Sequence, residues 1–91
     1  MDLNRTKLKF IAMDRKVGDK NYHFVIQRPC AATKGRVVIA IYDGDKIVSK
    51  RGKPTNLIQM VDIGMGEIGG NLNNIGLAID AMIAVMEKNL K

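Results

Sequence analysis

Residues 62–71 read DIGMGEIGGN, and the fold turns on what this stretch is. Gly64, Gly66 and Gly69 spell G-x-G-x-x-G, the fingerprint of a dinucleotide-binding turn. That reading needs the motif to close the first strand of a βαβ unit, with an acid about 20 residues on for the ribose. Here the motif follows the last strand-like run, no further strand comes after the helix, and Glu87, at a suitable distance, lies on the helix itself. A simple phosphate site at the helix start would use the same glycine amides, but Glu67 sits among them and opposes an anion. The stretch is therefore expected to be a flexible hinge, residues 64–70, joining a sheet to a helix and reversing the chain at Gly69-Gly70. The fold is then α+β.

Upstream, four runs alternate or cluster as strands do. The first, KLKFIAM (7–13), ends at Asp14-Arg15-Lys16, and a turn over 18–21 leads to YHFVIQ (22–27), which Pro29 stops. RVVIAIY (36–42) opens after Lys34-Gly35. Asp43-Gly44 is a hairpin signal that would return the chain through KIVS (46–49). A basic loop, KRGKP (50–54), precedes NLIQMVDI (56–63), which reads either as a fourth main strand or as the continuation of KIVS. Alternation puts Leu8, Phe10 and Ala12 together, and likewise Val37, Ile39 and Ile41, as core candidates. In the second run Tyr22, Phe24 and Ile26 share one face and His23, Val25 and Gln27 the other; the pattern does not say which is inside.

Downstream the period changes. Leu72, Ile75, Ile79, Met82, Ile83, Met86 and Leu90 recur at helical spacing, and Asn71, Asn73 or Asn74 can cap the start. The opposite face is apolar as well, with Asp80 alone charged between Ile68 and Met86. One small sheet covers one side of a helix, so the second side asks for a cover of its own. A homodimer is the economical answer, with Gly76, Ala78, Ala81, Ala84 and Val85 allowing close approach. The expected architecture is an antiparallel sheet of four to five strands (about 7–63) followed by one helix (about 71–90), β4α-like, in a single domain over residues 1–91.

The chain has 91 residues, enough for one small core. No apolar run approaches the ~18 residues that span a bilayer, and the first ten residues lack a signal-peptide core, so no membrane association and a cytoplasmic location are expected. Cys30 stands alone, and one Cys with one His does not make a zinc site. No metal or cofactor is expected. No Ser-His-Asp, Cys-His or paired-carboxylate arrangement stands out, which argues against an enzyme. His23 reads as an ordinary strand residue, and Met60, Met65, Met82 and Met86 as core or interface filler.

Charge is the informative quantity. Residues 1–56 hold 13 Lys and Arg against 5 acids, a net +8, whereas residues 57–91 hold 2 against 4, a net −2. Such a field attracts polyanions. Cations mixed with rings and amides on a sheet suit single-stranded nucleic acid, where phosphates take the cations and unpaired bases stack. A duplex reader that inserts a helix is disfavoured, because this helix has no positive charge before Lys88.

KNYHFVIQR (20–28), an aromatic strand flanked by cations, and KGRVVIAIYD (34–43), with K-G-R opening an apolar strand, are together similar to the Pur-alpha repeat and to the related Whirly and positive-cofactor-type domains. The resemblance covers residues 7–90 in order of elements and about 20 residues in spelling. It implies a curved sheet that binds single-stranded DNA or RNA, a dimer involving the helix, and contacts from Lys20, Tyr22, Gln27, Arg28, Lys34 and Arg36. The chain departs from that pattern in its PCAAT insertion (29–33) and in the GMGEIGG hinge.

Joined with the residue-level reading, the candidate contact set is Lys7, Lys9, Lys20, Tyr22, Gln27, Arg28, Lys34, Arg36, Tyr42, Lys50, Arg51 and Lys53. The competing expectation is a protein-interaction module, an inhibitor or adaptor of the phage or mobile-element type. It would dock on an acidic protein through the basic face, or through the apolar helix.

Overall fold

The computed structural model describes residues 3, 5 and 7–89. Leu90, assigned above to the helix's apolar stripe, lies outside the described residues. Among these residues an antiparallel four-stranded sheet is followed by one α-helix, an α+β fold. The strands are β1 (Phe10–Val17), β2 (Lys20–Gln27), β3 (Val37–Asp43), a short hairpin β4 (Ser49–Lys50) and β5 (Lys53–Pro54), and β6 (Leu57–Ile63). The helix α1 spans Ile75–Asn89. The sheet order is β1-β2-β3-β6, so β1 and β6 are its edges. No helix among the described residues is long and apolar enough to cross a membrane.

The first strand overturns one expectation. It runs on through Asp14-Arg15-Lys16 to Val17, which pairs with Lys20 across the two-residue turn Gly18-Asp19. Ile11, Met13 and Val17 then face the helix, while Leu8, Phe10 and Ala12, expected in the core, are exposed. Three apolar residues on the odd face, one of them beyond the apparent end of the strand, outweigh Phe10 and Ala12 on the even face. For β2 the open choice resolves toward Tyr22, Phe24 and Ile26 inside, and Val37, Ile39 and Ile41 of β3 join them as expected.

The helix closes this core. Ile75 and Ile79 are fully buried against Phe24, Ile26 and Ile39, and Met82, Ile83 and Met86 pack at the margin. Each such side chain contributes roughly 1.5–3 kcal/mol by leaving water. Asn71 caps the single 3-10 turn that leads into α1, its Oδ1 accepting the Asn73 amide at 2.9 Å.

Several hydrogen bonds run through the glycine stretch. Residues 65–68 form a 3-10 turn; Glu67 Oε2 accepts the Gly64 amide at 2.6 Å, and Asn74 Nδ2 donates to the Ile68 carbonyl at 3.0 Å. Ile68 is buried in the core. The reversal does fall at Gly69-Gly70, whose φ values of 65° and 72° lie where side-chain-bearing residues are strained.

The chain between β3 and β6 differs most from expectation. KIVS does not pair back on β3; the partner of β3 is β6, with a bulge opposite Ile41 and Tyr42. Residues 44–56 instead leave the sheet as an arm whose end is the β4–β5 hairpin. Its tip residues Arg51 and Gly52 both have positive φ, 54° and 77°, the pattern of a type I′ turn. Asn56 closes the neck. Its Oδ1 accepts from Val48 N at 2.8 Å, and its Nδ2 donates to the Asp43 and Lys46 carbonyls at 3.0 and 2.9 Å.

Candidate nucleic-acid interface

With α1 on one face, the other face of the sheet is open. Cross-strand register places three rows on it: Phe10–Gln27–Val38–Asp62, Ala12–Val25–Ala40–Met60, and Asp14–His23–Tyr42–Leu57. This floor is mainly apolar. Lys16 is the strand cation on it, set against Asp14 and Asp62, so the sheet floor itself is not the basic surface expected. The reason is positional: Lys7, Lys9 and Arg36, expected on the first and third strands, lie just before β1 and β3, while Lys20, expected in a loop, opens β2.

Loop placement sorts the cations into two groups at opposite ends of the sheet, about 24 Å apart along a strand of this length. Lys7, Lys9, Arg28, Lys34 and Arg36 gather where β1 begins, β2 ends and β3 begins. Lys16, Lys20 and the arm residues Lys46, Lys50, Arg51 and Lys53 lie at the other end. Some are already engaged. Arg36 Nε is 3.3 Å from Asp62, with Glu67 at 3.9 Å, and Lys20 Nζ is 3.5 Å from Asp43. These pairs are half-exposed, the kind that contribute ~0–1 kcal/mol and yield to a stronger anion. Lys50, Arg51 and Lys53 are all exposed and have no ion pair among the described residues. The K-R-G-K spelling gathers these three charges, and the I′ turn holds them on one short ribbon.

The two tyrosines do not supply stacking faces. Tyr22 is 3% exposed, because its register puts it on the helix side of the sheet in the core; Tyr42 is on the open side but 8% exposed, with the His23 ring tilted beside it at 6.2 Å. The ring that is presented is Phe10, 51% exposed on the open face with Lys9 Nζ 5.6 Å from its centroid. Alternation assigns Phe10 to the core, which hides it among the candidates; the adjacent Lys9 is the one signal that points to it. Gln27 is half-buried, its amide turned toward Cys30 Sγ at 3.8 Å.

His23 Nδ1 lies 2.6 Å from Asp14 Oδ1 on the same floor. The cross-strand neighbour of His23 on the other side is Tyr42. Among the described residues no three of His, Cys, Asp and Glu come together as metal ligands would. Cys30 begins a tight turn in which Thr33 returns several hydrogen bonds, and the Thr33 backbone bond, followed by its hydroxyl, holds the thiol below its ordinary pKa.

The interface candidates on the helix separate. Ala78 is half-buried against the core, Gly76 is half-buried, and Ala81, Ala84 and Val85 are exposed. Ala81 and Val85 line a groove of ≈ 330 Å³ between α1 and Ile63, which continues along β6 past Val61 and Gln59 as a second hollow of ≈ 190 Å³. Comparison with protein-family models, curated proteins and solved structures finds no match to this chain.

Proposed function

We propose that the protein is a small non-enzymatic module that binds single-stranded nucleic acid. The observation that carries this reading is the arm: three exposed cations without ion pairs among the described residues, Lys50, Arg51 and Lys53, on a hairpin fixed at its neck by Asn56. A second cation group at the far end of the open face gives a strand two anchorages for its phosphates. Between them lies an apolar floor with the exposed Phe10 ring, a surface on which unpaired bases rest and a duplex, with its bases enclosed, does not. The DNA-versus-RNA choice rests with the 2′-hydroxyl, for which the floor offers His23, Gln27 and Asp14 as polar partners.

The test is fluorescence anisotropy of labelled single-stranded and duplex oligonucleotides at two salt concentrations. The reading expects tighter binding to the single strand, with log affinity falling by ~0.7 per phosphate contact for each decade of salt. Equal or absent binding of both forms at low salt overturns it.

A second reading, docking on an acidic protein, draws on the same arm and gains from the uncovered apolar groove beside α1. Binding to an acidic polypeptide such as polyglutamate, stronger than to an oligonucleotide of matched charge, favours that reading.

A further inference from the structure

The open face keeps its cations apart from its floor. The middle row, Ala12–Val25–Ala40–Met60, is wholly apolar, and the rows on either side of it add two acids, Asp14 and Asp62, but no Lys or Arg. Cations stand beyond both ends. Lys7, Lys9 and Lys34 are exposed at one end and Lys50, Arg51 and Lys53 at the other, none of them in an ion pair among the described residues. The gap between the two groups is about 24 Å.

Hydrogen bonds fix both groups. At the first end the Arg28 amide donates to the Lys9 carbonyl at 3.1 Å. The turn that carries Lys34 is closed there by the Gly35 amide on the Cys30 carbonyl at 3.0 Å and the Arg36 amide on the Thr33 carbonyl at 3.1 Å. At the other end the Gly44 amide donates to the Asn21 carbonyl at 2.8 Å, which seats the root of the arm on β2. The Thr55 amide and hydroxyl both donate to the Val48 carbonyl, at 2.8 and 3.1 Å. Asn56 completes this neck through Val48, Lys46 and Asp43. The distance between the two cation groups is thus built into the fold.

We propose that this fixed span selects strands by length, an inference that rests on the nucleic-acid reading. A single strand binds tightly only when it is long enough to reach both cation groups at once, and Asn56 is the positioning residue that holds the arm at that reach. Phosphates over the floor meet no Lys or Arg, so the nucleotides between the ends add little charge pairing of their own. Once a strand reaches the second group, that contact is intramolecular, and affinity rises by about 10²–10⁴-fold over either group alone. With its bases stacked a strand advances about 3.4 Å per nucleotide, so about seven nucleotides cover the gap. A strand stretched out with its bases on the floor needs fewer. Affinity therefore rises with length in one step, where a continuously basic groove that tracks the backbone gives a gradual climb.

The test is anisotropy competition at one low salt concentration with single-stranded oligonucleotides of about four to about 16 nucleotides. The wild type is expected to show a step of about 10²-fold or more between the tetramer and strands of about seven nucleotides, then a slow rise as longer strands offer more registers. The triple variant Lys7→Gln, Lys9→Gln, Lys34→Gln should remove the step, leaving long strands near the affinity of the tetramer. Asn56→Ala should shrink the step and leave the tetramer's affinity as it was, whereas a general loss of stability weakens every length alike. Should Asn56→Ala lose its circular dichroism spectrum, the triple variant gives the readout. A gradual climb without a step overturns the proposal while single-strand binding stands, and so does a step that the triple variant or a folded Asn56→Ala leaves unchanged. Absence of binding at every length overturns the proposal and the nucleic-acid reading together.

Discussion

Asp43 and Asn56 exchange two hydrogen bonds across the neck of the arm: the Asp43 amide donates to the Asn56 carbonyl at 2.9 Å, and Asn56 Nδ2 donates to the Asp43 carbonyl at 3.0 Å. The same side chain reaches Val48 and Lys46, so one residue ties three points of a 13-residue connection. Asn56→Ala is expected to loosen the arm and to cost about 1–3 kcal/mol, at roughly 1 kcal/mol per hydrogen bond. Hydrogen exchange reads it directly: the Val48 amide should lose protection while the Phe24 and Ile39 amides keep theirs. Unchanged protection at Val48 would mean that the neck is held by something else.

The tip predicts opposite effects on stability and on binding. Arg51 sits at φ 54°, a conformation that disfavours a residue with a Cβ and that Asn tolerates. Arg51→Asn should therefore stabilise the protein by about 0.5–1 kcal/mol in urea unfolding, while weakening oligonucleotide binding. A drop in stability would show that the Arg51 side chain makes an interaction that outweighs its backbone strain.

Ile79 is completely buried where the helix meets the sheet. Ile79→Ala leaves a cavity there and should destabilise by about 2–5 kcal/mol, measured as a lower urea midpoint with an unchanged slope. A shift below ~1 kcal/mol would mean that the helix moves to refill the space.

How far the sequence reaches can be judged from such residues. Ile79 was legible, because a 3.6-residue period over 72–86 leaves one face to bury, and Asn71 was among the expected caps. The number of main strands and the order of elements were legible too. The side chains of β1 were not: Leu8, Phe10 and Ala12 alternate as well as Ile11 and Met13 do, and Val17 lies beyond three charged residues that mimic an end. The arm escaped for another reason. Asn56 acts through side-chain bonds to distant carbonyls, which leave no periodic trace, and Asp43-Gly44 spells a hairpin that the β3–β6 pairing overrides. Lys7, Lys9 and Arg36, expected on the outer sheet face, fall just before β1 and β3, and the floor they leave is mainly apolar.

The Cys30 thiol gives a prediction with a defined sign. The Thr33 backbone bond and then its hydroxyl favour the thiolate and lower the pKa. At neutral pH a larger fraction is ionised than in a free thiol, so iodoacetamide should react faster than with an unstructured cysteine peptide. Thr33→Val raises the pKa toward its ordinary value, slows the reaction near neutrality and leaves the rate unchanged at high pH, where both thiols are ionised. Superimposable rate–pH profiles for the two proteins would rule out the hydroxyl's part.

In the proposed reading the arm holds the nucleic-acid strand. The most direct measurement compares the wild type with the triple variant Lys50→Gln, Arg51→Gln, Lys53→Gln by anisotropy of one labelled single-stranded oligonucleotide across a salt series. Without these three cations to neutralise phosphates, binding at low salt should weaken and the log–log salt slope should flatten by about 2, at ~0.7 per phosphate. An affinity and slope equal to the wild type's would contradict the claim and leave the arm without a part in binding the strand.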